Sequence, residues 1–329
     1  MQTQNLNARF LGKLQVETKN GGDDIKKTMS IVVILLVLSI VGSIIPKYIP
    51  HEFPICTSQK DQRYPAISGN IIVWEDHRNS TGNWDIYGYD IERQRQFEAC
   101  RRSRSQGSPT ISGNIVMWED LRNGNWDIYG YDLKNRKELP ICTEKSTQNN
   151  PAISGNIVVW QDFRNNNRDI YVYGNCDIYG YDLERQKEFA ICKALGDQFN
   201  PAISGNIVVW EDRRNGYGNW DIYGYDIYQG KEFAICKALG DQFNPAISGN
   251  IVVWEDCRNG YGNWDIYGYD LSTDKEFPIC EYRYSQTYPQ VTCCLDSLGL
   301  IRITVVWFDD RGKDLDIYEA IIETYLQVK

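Results

Sequence analysis

The segment Lys187–Asp226 recurs at Lys231–Asp270 with a single difference, Arg213 against Cys257. It is the clearest copy of a unit that runs through the chain. Each unit opens on a proline (Pro65, Pro109, Pro151, Pro201, Pro245, Pro289) and carries a tryptophan (Trp74, Trp118, Trp160, Trp210, Trp254, Trp307). The tryptophans recur every 42 to 53 residues. A period in this range specifies stacked supersecondary units, each completing its neighbour's core, and that restricts both the fold and the kind of function to expect.

Within one unit, Pro201–Ser204 and the turn Gly205-Asn206 lead into Ile207–Asp212, a β-branched and aromatic run suited to a buried strand. An Asn/Gly-rich loop then delivers the strand Asp221–Asp226, and Lys231–Cys236 supplies another. No stretch of the repeat has the i, i+3, i+4 apolar spacing of a helix. Four short antiparallel strands per period describe the blade of a β-propeller, here lettered A to D.

The last unit stops after its third strand, Asp316–Ile321, while His51–Thr57 ahead of the first unit matches the fourth strand Lys275–Cys280. The expectation is an all-β, six-bladed propeller over 51–329. The N-terminal strand would complete the last blade and remove free sheet edges.

These residues carry a family resemblance. The pattern Pro-x-Ile-Ser-Gly, Val-Val-Trp-x-Asp-x-Arg, Asp-Ile-Tyr-x-Tyr-Asp resembles the TolB-like propeller repeat, in particular the tandem versions of archaeal and bacterial cell-surface proteins. It covers the chain from His51 onward. The resemblance implies the fold and a place in the cell envelope, not an activity, because one fold hosts many functions. TolB carries a further α/β domain ahead of its propeller, and nothing here corresponds to it, so its role in envelope assembly is not implied.

Ile31–Ile45 is an apolar run behind Lys26 and Lys27. It reads as a signal peptide or an N-terminal membrane anchor over 25–46, with 47–50 as linker. Either reading puts the propeller outside the cytoplasm, on the cell surface or secreted. Residues 1–24 are polar and patternless, a cytoplasmic tail or an untranslated leader. The net charge of −9 argues against a nucleic-acid partner, and the basic run Arg93–Arg104 reads as a solvated edge. Of ten cysteines, Cys56, Cys100, Cys142, Cys192, Cys236 and Cys280 fall once per unit at the end of strand D. Equivalent points on neighbouring blades are too far apart for a bridge, so these read as buried thiols.

Chemistry-bearing motifs are sparse. Two histidines, His51 and His77, leave little for a metal site or a triad, and no nucleophile elbow, zinc-helix or phosphate-loop signature occurs. Carboxylates recur in every unit. The Asp of Trp-x-Asp-x-Arg (Asp76, Asp120, Asp162, Asp212, Asp256, Asp309), the Arg two residues on (Arg78, Arg122, Arg164, Arg214, Arg258, Arg311) and the first Asp of strand C (Asp85, Asp127, Asp177, Asp221, Asp265, Asp316) read as a structural clasp fixing the B–C loop. No cofactor is expected, with Ca²⁺ on the loop oxygens as the alternative.

Repeats that differ at one point invite a functional reading there. Between the clasp Asp and Arg stand His77, Leu121, Phe163, Arg213, Cys257 and Asp310. They would ring the mouth of the channel on the face shared by the B–C and D–A loops, together with Tyr217 and Tyr261. Asn79-Ser80-Thr81 is a glycosylation sequon on that face. The expected function is a non-catalytic binding or adhesion scaffold for envelope polysaccharide or a surface protein. The alternative is a carbohydrate-active enzyme, a polysaccharide lyase or a glycosidase. A glycosidase needs two carboxylates at the channel, for which Asp296 and Asp310 are the candidates.

Overall fold

The computed structural model describes residues 53–79, 82–165, 176–216, 218–260, 262–295, 300–311 and 316–325. Among them there are strands and turns and no helix. The apolar run 31–45 lies outside the described residues, within which no helix is long and apolar enough to cross a membrane. Six antiparallel sheets follow one another, five of four strands and a last one of three.

Blade 4 shows why the repeat folds as it does. Its strands are A (Gln198–Ser204), B (Ile207–Asp212), C (Asp221–Asp226) and D (Lys231–Cys236). Gly205 turns A into B at a φ of 59°, which only a residue without Cβ adopts freely. At the C–D turn, Asp226 Oδ1 accepts the N–H groups of Tyr228 and Gln229 at 2.9 and 3.0 Å. Gly224 sits on strand C because Phe233 of strand D covers it: a Cβ there would stand 2.7 Å from the ring.

The core lies between blades. Val209 and Ile222 of blade 4 pack against Val252 and Trp254 of blade 5, and this cluster repeats at five successive junctions. Two polar bridges accompany each of the five. The Ser closing strand A accepts an N–H from the next blade, as Ser204 Oγ does from Gly249 at 3.0 Å. The residue between the Trp and the clasp Asp (Glu75, Glu119, Gln161, Glu211, Glu255) accepts the N–H of Ser108, Asn150, Asn200, Asn244 and Tyr288 in turn, at 2.5 to 3.0 Å. These latches are buried or nearly so, and a buried N–H left without such a partner is costly.

The sixth junction, from blade 6 to blade 1, differs. Phe308 occupies the latch position. Ile86, Ile128, Ile178, Ile222 and Ile266 on strand C are fully buried, but their counterpart Ile317 is 73% exposed. On the facing side, Ile67 is 63% exposed where Ile111 is 8%. The expected fourth strand is not paired here: residues 53–57 form no strand, and Asp316–Tyr325 is bonded on one side only, to Leu300–Asp309. Every other strand D is tied to its strand C by a short turn, whereas 51–57 would pair across the seam from the far end of the sequence. One contact of the expected arrangement is present. Cys56 accepts from Arg78 Nη2 at 3.2 Å, in the place the strand D cysteine of the preceding blade takes elsewhere.

Burial pushes the Glu211 carboxyl up to about 7, with Glu119 and Glu255 moved the same way. A carboxyl raised on folding favours the folded state at low pH, and that advantage disappears as pH climbs from the unfolded value to the folded one. Glu211 Oε1 takes both bonds, from Asn200 Nδ2 at 2.8 Å and from the Asn244 N–H at 2.7 Å, so an amide oxygen can replace it. Gln161 does so in blade 3. Glu211→Gln is expected to leave stability unchanged near pH 4 and to raise it by about 2–3 kcal/mol at pH 8. Urea unfolding at the two pH values checks this, and an equal shift at both would contradict it.

Candidate functional site

The clasp is built from the sequence motif outward. In blade 2, Asp120 is fully buried and accepts from Trp118 Nε1 at 2.9 Å, from the Arg122 N–H at 2.9 Å and from Arg122 Nη2 at 2.6 Å. The guanidinium lies 4.0 Å over the Tyr129 ring and reaches Glu138 on strand D at 2.7 Å. The Asp–Arg pair recurs as Asp76 with Arg78, Asp162 with Arg164, Asp212 with Arg214, Asp256 with Arg258, and Asp309 with Arg311, and the strand D carboxylate recurs as Glu188, Glu232 and Glu276, with Gln96 in that place on blade 1. The preceding blade adds its cysteine: the Cys100 thiol donates to Asp120 Oδ2 at 3.8 Å and accepts from Arg122 Nη2 at 3.5 Å. Burial pushes the thiols of Cys100, Cys142, Cys192 and Cys236 up to about 12, which keeps them protonated and unreactive. All ten cysteines are free.

The strand C carboxylates hold the B–C loop through its asparagine. Asp127, Asp177, Asp221 and Asp265 accept from Asn123, Asn165, Asn215 and Asn259 of the B–C loop at 2.5 to 2.8 Å, and Asp85 accepts from Asn79. Each faces the clasp Asp across the B–C register, as Asp76 faces Asp85, and the arginine is already committed there. Burial raises the pKa of these second carboxyls. Asn79 of the sequon therefore shares a structural duty with four equivalents; Ser80 and Thr81 lie outside the described residues. Among the described residues no group of three or more His, Cys, Asp or Glu is placed to hold a metal ion.

The six variable residues do not form an open rim. The backbone N–H of each donates to the carbonyl of the D–A loop before it, as His77 does to Asp61 and Cys257 to Asp241, both at 3.0 Å. Cys257 is buried, and its sulfur accepts the Asp241 N–H at 3.0 Å. Arg213 pairs with Asp197, and His77 stacks on Trp84 with centroids 4.8 Å apart. Asp310 is exposed and accepts the Ser285 N–H at 2.7 Å. Leu121 and Phe163 are half-buried. Tyr217, Tyr261 and Asp296 lie outside the described residues.

The same face carries a feature the repeat pattern hid. Phe163, Phe199, Trp220, Phe243 and Trp264 form a continuous ladder across blades 3 to 5, with centroid separations of 6.2, 5.4, 5.6 and 5.5 Å. Its rings are half-buried. Leu195 and Leu239, in the D–A loops that lead into the strands carrying Phe199 and Phe243, are 84% and 86% exposed. The signal is in the sequence at the residue after the repeated Gln: Arg63, Gly107, Asn149, Phe199, Phe243 and Thr287. Only two consecutive blades place an aromatic there. On blades 1 and 2 the corresponding loop tips carry Ser103 and Lys145 where blades 3 and 4 carry Leu195 and Leu239, and the leucine loops themselves begin with the exposed Lys193 and Lys237.

No known protein family and no curated protein matches the chain. Solved structures do. The propeller domain of the Trilobed protease from Pyrococcus furiosus, described as having an open velcro topology, aligns at TM-score 0.55 and 13% identity over 81% of this chain and 85% of that one. A putative TolB from Agrobacterium tumefaciens aligns at 0.50 and 15%, over 72% and 88%. An oligogalacturonate lyase from Vibrio parahaemolyticus aligns at 0.53 and 10%, over 76% and 74%. The chain spans 58% of the TolB chain from Acinetobacter baumannii. A protease's propeller domain, a putative TolB and a lyase thus share this architecture, and at these identities the likeness concerns the fold alone. By its six sheets, its repeat and these neighbours, the chain has the fold of the TolB-like β-propellers.

Proposed function

We propose that the chain is a non-catalytic, extracytoplasmic binding scaffold that docks another surface protein through the loop face of blades 3 to 5. The observation that carries this reading is the aromatic ladder together with Leu195 and Leu239. Two nearly fully exposed leucines in the loops leading to packed aromatic rings make an apolar centre, and Lys193 and Lys237 in those loops give it a charged rim, the anatomy of a protein-binding patch. Leucine offers a sugar no hydrogen bond, so a protein suits this patch better than envelope polysaccharide. The enzyme alternative has no specific support. The carboxylates of the latch and the clasp are all engaged in holding the architecture, and Asp310 in holding a loop.

The N-terminal apolar run supports display outside the cytoplasm, anchored or secreted. We also propose that the ring closes through 51–56 as fourth strand of blade 6. The placement of Cys56 on Arg78 and the bare Ile317 and Ile67 on the two sides of the seam support this.

The test compares the full-length protein with a Leu195→Asp, Leu239→Asp variant for association with a solubilised envelope-protein fraction, read by biolayer interferometry. Tyr228→Asp, an exposed change in a C–D turn, is the control. A loss of at least tenfold in the leucine variant alone is expected. Equal binding by all three proteins would reject the loop face as the docking surface.

A further inference from the structure

Six residues, one per blade, adopt a left-handed backbone immediately before a proline. They are Tyr64, Ser108, Asn150, Asn200, Asn244 and Tyr288, with φ between 49° and 52°. None is glycine. A side chain disfavours this conformation, and the following proline disfavours helical backbone further, so the strain is held by its surroundings. It sits at a register shift in strand A, as between Phe199 and Ala202, and in five of the six blades the latch oxygen of the preceding blade fixes the N–H. Strain maintained at every repeat calls for a use.

The result of the bulge is a shared site. All six residues line a single cavity of about 480 Å³ where the six A strands converge, within the roughly 300–1,000 Å³ typical of small-ligand sites. Its chemistry is unlike the rest of the molecule. In a chain of net charge −9, this wall is formed by Tyr, Ser, Thr, Asn, Gln and Pro side chains. Three consecutive blades contribute carboxamides, with Asn150 Nδ2 donating to Asn200 Oδ1 at 2.9 Å. The first and last blades contribute the exposed phenol rings of Tyr64 and Tyr288.

We propose that this central cavity binds a neutral oligosaccharide. The amide N–H groups of Asn150, Asn200 and Asn244 are held by Gln161, Glu211 and Glu255, so the carboxamide oxygens accept while the Tyr, Ser and Thr hydroxyls both donate and accept, as sugar hydroxyls require, and phenol rings cover the C–H face of a pyranose. A cation would find no carboxylate on the wall and an anion no cationic group. Phe199 and Phe243 directly precede the wall residues Asn200 and Asn244, but no ring of the ladder is part of the wall, and the assignment does not depend on the docking reading.

Isothermal titration of the full-length protein with maltotriose, mannotriose and triacetylchitotriose, and with trigalacturonate and the glucosamine trimer as charged probes, tests the proposal. At least one neutral trisaccharide is expected to bind, and the charged probes at least tenfold more weakly. Tyr64→Gly and Tyr288→Gly remove a ring while relieving the left-handed strain, so the fold is kept. Each is expected to weaken binding at least tenfold. Leu195→Asp is expected to leave it unchanged, which separates this site from the loop face. Failure of every neutral trisaccharide to bind, charged probes binding as tightly, glycine variants binding like the parent, or loss on Leu195→Asp would each overturn the assignment.

Discussion

Asp120→Ala is expected to cost about 3–5 kcal/mol of stability, the range for removing one partner of a buried ion pair. The carboxylate is fully buried and receives Trp118 Nε1, the Arg122 N–H and Arg122 Nη2. Without it the indole and the loop N–H lose their acceptor. The guanidinium keeps Glu138 and the Tyr129 face, which is too little to hold the loop. The contrast is Arg102→Ala. Arg102 meets Glu138 at 3.0 Å on the surface, and an exposed pair contributes less than about 1 kcal/mol. Urea unfolding monitored by tryptophan fluorescence measures both. Similar losses from the two changes would show that the clasp is ornamental.

Ile317→Ala separates a closed ring from an open one. With the seam open, Ile317 is surface, and its truncation changes stability by no more than about 0.5 kcal/mol. With 51–56 paired against Asp316–Tyr325, Ile317 acquires the setting of Ile222, opposite a strand D cysteine as Ile222 is opposite Cys236. Truncation then costs about 2–5 kcal/mol. The closed ring is expected, because an open seam leaves Ile317 and Ile67 bare, and burying each is worth roughly 1.5–3 kcal/mol. Slow amide exchange at 51–56, lost in the variant, is the accompanying sign.

The sequence and the structure agree where a contact repeats and diverge where it crosses between loops. The strands, the turns at Gly205 and Asp226 and the Asp–Arg pair could be read because each rests on residues adjacent in sequence and present in every blade. The cysteine in the clasp could not, since Cys100 reaches Asp120 from another blade. The partner of Asp85 and its equivalents, the loop Asn, is not named by the motif, because it lies in the B–C loop whose length and sequence vary between blades. Cys257 was expected on an open rim; the D–A loop that buries it comes from sixteen residues earlier. The rings of Phe199 and Phe243 meet Trp220 and Trp264 only across the fold, a contact no single repeat shows. Phe308, in the latch register, marks the seam.

The most direct measurement of the central claim is site-specific photo-crosslinking in intact cells, with one photoreactive residue in turn at Leu195, Leu239, Ser103 and Lys145. These are equivalent D–A loop tips on different blades. A docking face confined to blades 3 to 5 predicts a discrete protein adduct from Leu195 and Leu239 and none from Ser103. Adducts of equal yield from all four positions, or from none, would contradict it.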